Sequence, residues 1–181
     1  MGFEYDIIKF LQASATPNWI TFFQIVTMLG SYLGFLITFI IVFAKNKKLS
    51  LALAITFIVS AIINHLLKSI VSRARPFDTY TDIINYGNED GYSFPSGHSV
   101  CAGIFATFLF YILISSTRNK WTIALGTISI SLVAMLVAIS RMFLGVHYLT
   151  DTIAGIFFGL LFAFVGILLY NILVKKWKRK K

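Results

Sequence analysis

The sequence predicts an all-α integral membrane protein: a helical bundle of about five spanning helices, preceded by an N-terminal interfacial or re-entrant helical segment. Of its 181 residues, 57% are hydrophobic and 13% are charged, which is too little polar surface for a soluble domain of this size. The apolar residues form long runs, and most Lys and Arg residues stand between or after these runs. Because lipid cannot satisfy backbone polar groups, such runs are expected to be helical.

We expect one membrane-embedded domain over residues 1–181. Residues 1–30 form the interfacial or re-entrant N-terminal region, residues 31–174 the helical core, and residues 175–181 a basic cytoplasmic tail. The single Cys101 lies inside an apolar run, so we interpret it as a buried structural thiol.

The N-terminal region begins with a mostly one-sided apolar pattern over residues 3–14, which predicts a helix lying in the membrane interface. The following apolar residues 17–29 are too few to cross roughly 30 Å of hydrocarbon. We therefore interpret them as a tilted or re-entrant piece that leads into a spanning helix at residues 31–44. A single long tilted helix over residues 19–44 is the open alternative.

The later spans are more clearly marked in the sequence. A polar loop at residues 77–95 separates the second span from the third. Four further apolar runs predict spanning helices, at residues 49–67, 99–115, 121–139 and 148–174.

Charge predicts the orientation of the bundle. If each run crosses once, one side holds eleven of the sixteen Lys and Arg residues and none of the seven acidic residues. By the positive-inside rule this side is cytoplasmic. We therefore interpret the net charge of +9 as setting the orientation of the helices in a cell membrane, and we expect no nucleic-acid partner. The eleven residues lie at 45–48, 118–120 and 175–181.

A cation, an imidazole and a carboxylate interrupt the apolar pattern between the last two runs. Placing Arg141, His147 and Asp151 at the edge of a hydrocarbon-like run costs free energy, so these residues indicate a functional site. If the chain is helical from Val146 onward, His147 and Asp151 share one face, where the carboxylate can orient the imidazole. A helix-end ion pair is the structural alternative.

Two other polar stretches accompany this one. In order, the three are Lys68 with Arg75-Pro76, then Pro95-Ser96-Gly97-His98, then Ser140-Arg141 with His147 and Asp151. This pattern resembles the three-part signature of the phosphatidic acid phosphatase type 2 superfamily, which also includes glucose-6-phosphatase, bacterial acid phosphatases and vanadium haloperoxidases. Every signature position is matched across residues 68–151. Outside that window the resemblance rests on hydropathy alone.

Three of the matched residues are cations that would repel one another without a partner. Lys68, Arg75 and Arg141 suit a phosphate, because Arg presents a planar fork to its oxygens and Lys a point charge. Ser96 is placed to cap a helix whose free N–H groups also face an anion. Gly97 would let the backbone approach that anion closely.

The two matched histidines, His147 and His98, are the candidates for catalysis. His147, supported by Asp151, is suited to attack phosphorus as a neutral nucleophile. His98 is suited to protonate the leaving oxygen and then to activate water. The resemblance implies the same roles for these residues. Buried structural histidines and helix-terminal cations are the alternatives when each residue is considered alone.

The remaining polar residues receive structural interpretations. His65 is read as a core or interface histidine, and Arg73 as a contact beside the site or with a headgroup. The acidic residues of the polar loop match no compact metal-ligand spacing, so we read them as solvated and expect no metal and no cofactor. They are Asp78, Asp82, Glu89 and Asp90.

The resemblance thus implies a phosphatase acting on a lipid phosphate or pyrophosphate through a phosphohistidine. The charge distribution predicts that its three signature stretches meet at the extracytoplasmic leaflet. Candidate substrates are undecaprenyl pyrophosphate, phosphatidylglycerophosphate, phosphatidic acid and lipid A phosphate. A phosphotransferase, a non-catalytic lipid-phosphate binder or transporter, and a hydrolase of soluble phosphates are the alternatives. We expect membrane lipids as partners and a monomer or homodimer. The small residues Gly155, Gly159 and Ala163 favour packing within the chain over dimerisation.

Overall fold

The computed structural model describes the backbone of residues 2–178 and the side chains of residues 2–174. The side chains of the predicted basic tail, residues 175–181, therefore lie outside the described part. The described chain is helical and contains no strand. Its helices are α1 (Phe3–Ala13), α2 (Pro17–Met28), α3 (Tyr32–Lys45), α4 (Lys47–Val71), α5 (Pro76–Thr79), α6 (Gly97–Ser116), α7 (Lys120–Phe143) and α8 (Leu149–Lys178).

Four helices, α4, α6, α7 and α8, are each long and apolar enough to cross a membrane. α2 and α3 pass the same test as a pair, bent by 46° at the break between them, and supply a fifth crossing when counted as one span. α3 has 14 residues and rises about 21 Å, so it needs α2 to reach across roughly 30 Å of hydrocarbon. The predicted fold class is confirmed.

The break between α2 and α3 falls where the sequence places Gly30 and Ser31, so the alternative of one helix over residues 19–44 is wrong. Gly30 packs directly on a neighbouring helix. A Cβ atom at this position would lie 2.7 Å from the carbonyl oxygen of His98 and 2.6 Å from a methyl of Val137. The glycine therefore lets α2 and α3 fold tightly against α6 and α7.

α6 and α8 meet backbone to backbone in the middle of the bundle. A Cβ at Gly159 would lie 3.0 Å from the Cα of Gly103, and one at Gly155 would lie 2.6 Å from the carbonyl oxygen of Ser96. Ala163, the third small residue of the series, is fully buried. The small-residue face of α8 thus packs within the chain, as predicted, and holds the start of α8 against the start of α6.

α1 lies over the polar loop at the same end of the bundle. Tyr5 donates a 2.7 Å hydrogen bond to Asp82, and the amide of Gln12 donates to the carbonyl of Ile84 at 2.8 Å. Phe3 and Phe10 remain exposed. This two-sided character agrees with the predicted interfacial helix, which here also covers the loop that leads into α6.

Candidate active site

The folding of the chain brings all eight predicted site residues to one end of the bundle. Lys68 lies in the last turn of α4, Arg75 precedes α5, Ser96 caps α6 and Gly97 and His98 begin it, Arg141 lies in the last turn of α7, His147 lies in the connection to α8, and Asp151 lies in the first turn of α8. Four of the ionisable side chains among them are at most 2% exposed: Arg75, Arg141, His147 and Asp151. Charged groups buried this deeply need partners.

His147 and Asp151 pair in a way that differs from the predicted helical face. α8 begins at Leu149 rather than at Val146, so His147 lies ahead of the helix. The Oδ2 atom of Asp151 accepts a 2.9 Å hydrogen bond from the backbone N–H of Tyr148 and lies 3.5 Å from Nδ1 of His147. Asp151 therefore closes the turn at the start of α8 and faces the imidazole from there.

Asp151 has two further partners outside the signature. Ser93 Oγ donates to its Oδ2 atom, and Arg73 Nη1 donates to its Oδ1 atom at 2.6 Å. Ser93 Oγ also lies 3.4 Å from Nδ1 of His147. The carboxylate is thus held by donors on both of its oxygens, which fixes its position and favours its ionised form.

The surroundings of His147 select one neutral tautomer. Nδ1 faces Asp151, so it is the nitrogen that carries the proton, while Nε2 lies 3.4 Å from the Nη1 donor of Arg75. Burial lowers the pKa of His147 to about 4. This pKa value already includes the opposing effect of Asp151 and the additional lowering by the charges of Arg141, Arg75 and Lys68. The imidazole is therefore neutral at neutral pH with a lone pair on Nε2.

Backbone carbonyls of the polar loop hold two of the three cations. Arg75 Nε donates to the carbonyls of Asp90 and Gly91, each at 3.0 Å. Lys68 Nζ donates to the carbonyl of Tyr92 and lies 3.5 Å from that of Ser93. These bonds fix the head groups, but neutral carbonyls do not neutralise their positive charge.

Arg141 is nearly fully buried at the end of α7. Its Nη1 atom donates to the hydroxyl of Thr27 on α2 at 2.6 Å. Its Nε atom has no hydrogen-bond partner among the described residues. An orphaned buried donor on a cation is costly, so this group is suited to receive an oxygen from a bound anion.

Glu89 lies between the cations. Its Oε2 atom accepts from Arg75 Nη2 at 2.9 Å, and its Oε1 atom accepts from Arg141 Nη2 and lies 3.6 Å from His98 Nδ1. Burial raises the pKa of Glu89, but the neighbouring positive charges, Arg141 first, lower it to about 2. The prediction that Glu89 is a solvated loop residue is wrong, because the fold of the loop inserts its carboxylate between two arginines.

The start of α6 forms the other wall of the site. The hydroxyl of Ser96 accepts from the N–H of Ser99 at 3.4 Å, so Ser96 is the predicted helix cap. A Cβ at Gly97 would lie 3.3 Å from the amide nitrogen of Asn64 on α4. The glycine therefore allows α4 and α6 to approach closely beside His98, whose side chain remains partly exposed.

Arg73 lies beside the site and connects it to α1. Its Nη2 atom donates to Glu4 at 2.8 Å, and its guanidinium stacks 3.9 Å from the ring centre of Tyr148. The other oxygen of Glu4 accepts from the backbone N–H of Thr150 at 2.8 Å. The alternative of a contact beside the site is thus the one that the geometry favours for Arg73.

The other polar residues discussed above stay outside the site. His65 is exposed on α4, and the side chains of Asp78 and Asp90 are exposed in the loop. Asp82 pairs with Lys9 at 3.0 Å on the surface. Within the described residues, no group of three or more His, Cys, Asp or Glu side chains is arranged to hold a metal ion.

The fold and the site together define a multi-pass membrane protein with a cluster of buried cations at one end of its helices. The chain belongs to the PAP2 superfamily, whose family model matches residues 47–175.

Two relatives illustrate this membership. The chain is 30% identical over 130 residues to an undecaprenyl-diphosphatase from Sulfolobus acidocaldarius, a match covering 71% of this chain and 58% of the relative. It is 32% identical over 120 residues to phosphatidylglycerophosphatase B from Bacillus subtilis, covering 64% of this chain and 55% of the relative. The chain thus spans a little over half the length of these relatives.

Solved structures show the same architecture. A transmembrane PAP2 type phosphatidylglycerolphosphate phosphatase from Bacillus subtilis superposes with a TM-score of 0.78 and 26% identity, over 93% of this chain and 84% of the other. LpxE from Aquifex aeolicus superposes with a TM-score of 0.75 at 21% identity, over 92% and 96% of the two chains. The second likeness concerns the fold alone.

Proposed function

We propose that the protein is a membrane-embedded phosphatase that hydrolyses the terminal phosphate of a lipid phosphate or pyrophosphate, without a metal, through a phosphohistidine. One observation carries this proposal: Arg75 contacts both Nε2 of His147 and a carboxylate that lies among the cations. A phosphate in the place of that carboxylate would stand next to a neutral, oriented nucleophile.

The phosphate is held by fixed cations. Arg75 and Arg141 present guanidinium donors to its oxygens, and the unpartnered Nε–H of Arg141 would donate to one of them. Lys68, held by loop carbonyls, adds a third positive charge. Such preorganised charge stabilises the charge that develops on the equatorial oxygens in the transition state, which is the main requirement of phosphoryl transfer.

The chemistry then proceeds in two displacements. Nε2 of His147 attacks phosphorus, the N–P bond forms as the bond to the leaving oxygen breaks, and His98 donates a proton to that oxygen. Asp151 faces Nδ1–H and stabilises the positive charge that appears on His147. In the second step His98 removes a proton from water, whose oxygen displaces His147 and releases inorganic phosphate.

A lipid substrate fits the surroundings of the site. A mostly apolar cavity of about 230 Å³ lies between α3, α6 and α7, and Leu29 and Val137 are among the residues that line it. Leu29 precedes Gly30, which packs on the backbone of His98, and Val137 lies one turn before Arg141. An acyl or prenyl chain in this cavity would keep the phosphate at the site, which favours a lipid over a soluble phosphate.

The orientation and the substrate belong to the same proposal. The uneven distribution of Lys and Arg favours an extracytoplasmic site in a cell membrane. The named activities of the relatives and the solved structure concern undecaprenyl diphosphate and phosphatidylglycerophosphate. Both substrates are therefore candidates here, together with phosphatidic acid and lipid A phosphate.

The test is phosphate release by the purified protein in detergent with EDTA, against these four lipids and a short-chain soluble phosphate. We expect release from at least one long-chain lipid, little from the soluble phosphate, and none with His147→Gln. Release that requires added Mg²⁺ would contradict the metal-free proposal. Product analysis with and without an added lipid or sugar alcohol separates hydrolysis from phosphotransfer. Binding of lipid phosphate without any turnover would favour a binder or transporter.

A further inference from the structure

We propose that Glu89 is a specificity-determining residue: its carboxylate competes for the phosphate position and excludes lipids that carry a singly charged phosphodiester. The inference rests on the proposed phosphatase function and names a property of the same site. Nothing in the three-part signature includes Glu89, which lies in the polar loop between its first two stretches.

The geometry makes Glu89 a stand-in for a phosphate. One of its oxygens accepts from Arg75 at 2.9 Å, and the other accepts from Arg141. That second oxygen lies 3.6 Å from Nδ1 of His98. A phosphate bound by the two arginines next to His98 must occupy the same space, so the carboxylate has to leave before a substrate can bind.

The loop holds the backbone of Glu89 in position, while its side chain is partly exposed to solvent. The side chain of Asn85 donates to the carbonyl of Glu89 at 2.9 Å and accepts from its N–H at 3.4 Å. A tethered group has a high effective concentration at the site it reaches. The carboxylate is therefore a persistent competitor, and the side chain can still swing aside.

Charge decides which ligands can displace the carboxylate. A phosphodiester headgroup carries one negative charge on its phosphate, so its exchange for the carboxylate of Glu89 brings no gain in charge. A phosphate monoester carries roughly 1.5 to 2 negative charges at neutral pH, and a pyrophosphate carries more. Only these ligands gain from the exchange, because the cations Lys68, Arg75 and Arg141 are otherwise only partly neutralised.

The membrane makes such a competitor useful. Phosphodiester lipids make up most of the membrane around the protein. An unoccupied cluster of three cations would bind their headgroups. The carboxylate weakens the binding of every anion, because it must first be displaced. This cost raises KM without changing the chemical step. At this cost a phosphodiester binds too weakly to occupy the site, whereas the more highly charged terminal phosphates still bind.

The experiment compares Glu89→Gln with the wild type in mixed micelles, using a lipid phosphate substrate and phosphatidylglycerol as a phosphodiester competitor. We expect the inhibition constant of phosphatidylglycerol to fall about tenfold or more in the variant, as for the loss of a charge-assisted contact, and KM to fall while kcat is retained. Asp78→Asn is the matched control, because it removes the same charge from an exposed position near the loop. It should leave the inhibition constant unchanged.

Unchanged inhibition in Glu89→Gln would overturn the proposal. A fall in kcat with unchanged inhibition would also overturn it and would instead make Glu89 a positioning residue for His98. Glu89→Asp keeps the charge and should still exclude the phosphodiester. If Glu89→Gln does not fold, Glu89→Ala takes its place with the same expectation.

A binding measurement separates this inference from the proposed function. Thermal unfolding of the purified proteins is followed with inorganic phosphate or with dimethyl phosphate, a soluble phosphodiester. We expect inorganic phosphate to stabilise both proteins and dimethyl phosphate to stabilise Glu89→Gln alone. This pattern in a protein that releases no phosphate from any lipid would refute the phosphatase and leave the selective anion site standing. Stabilisation of the wild type by dimethyl phosphate would refute the selectivity itself.

Discussion

Arg73 and Asp151 are 78 positions apart in the sequence, and a 2.6 Å hydrogen bond joins Nη1 of the arginine to Oδ1 of the aspartate. The second terminal nitrogen of Arg73 donates to Glu4 on α1. The carboxylate that faces Nδ1 of His147 is therefore connected through one guanidinium to the N-terminal helix α1. This connection predicts that Arg73 positions Asp151 without touching the substrate.

Arg73→Gln should lower kcat by about 10- to 100-fold, the range expected from losing a hydrogen bond to a charged group worth about 1.5–3 kcal/mol. KM should change little, because the phosphate is held by other cations. Glu4→Gln should have a smaller effect in the same direction, since it frees Arg73 without removing it. Steady-state kinetics with a lipid phosphate measure both.

Lys9→Gln is the control for a general loosening of α1. The Lys9–Asp82 pair also connects α1 to the loop, but both side chains are substantially exposed, and such pairs contribute little. It should keep kcat near the wild-type value. A rise in KM with unchanged kcat in Arg73→Gln would contradict a positioning role and indicate a direct contact with the substrate.

The sequence predicted the helical bundle and the eight residues that meet at one end of it. Both predictions depend on local patterns: apolar runs determine the helices, and motif residues at the ends of successive runs must come together when the runs alternate in direction. The start of α8 was less predictable. A continuous helix from Val146 would pair His147 with Asp151, but the chain turns at Gly145 with a φ of +75°, and the helix begins only at Leu149.

The contacts of Glu89, Ser93, Arg73 and Thr27 could not be predicted in this way. Glu89 lies 52 positions from Arg141, Ser93 lies 58 from Asp151, and Thr27 lies 114 from Arg141. None of them stands in a repeating pattern, and an acidic residue in a polar loop is usually solvated. Only the path of the loop over the ends of the helices brings these groups to the cations.

The proposed orientation predicts the accessibility of engineered cysteines in a Cys101→Ala background. Lys45→Cys and Arg118→Cys, at exposed positions on the side rich in Lys and Arg, should react only with a reagent supplied from the cytoplasm. Thr81→Cys, exposed in the polar loop, should react only from outside. Labelling of Thr81→Cys from the cytoplasm by an impermeant maleimide would reverse the proposed topology.

The pKa of His147 predicts a neutral imidazole in mildly acidic solution. Its ordinary pKa of 6.5 is lowered to about 4, chiefly by burial. Between these values the unfolded chain binds a proton that the folded protein does not, so this histidine lowers the free energy of unfolding as the pH falls.

The measurement is ¹⁵N NMR of protein labelled at its three histidines, with the His147 signals assigned by their loss in His147→Gln. At about pH 5.5, where an unperturbed histidine is mostly charged, His147 should remain neutral and protonated on Nδ1. A titration midpoint at or above the ordinary value would contradict the proposed neutral nucleophile.

The two histidines of the site should differ in the step that each performs. His147→Ala removes the proposed nucleophile, so it should abolish both turnover and covalent phosphate. His98→Ala keeps the nucleophile but loses the acid and base, whose absence costs about 100- to 10,000-fold. An aryl phosphate needs little acid assistance, so it should still phosphorylate His98→Ala, and slow hydrolysis should let an acid-labile, base-stable label accumulate. The covalent phosphate is measured by quenching the enzyme during reaction with labelled substrate and mapping the labelled peptide. A label on His98, or none on a His98→Ala enzyme that still turns over, would contradict the assignment.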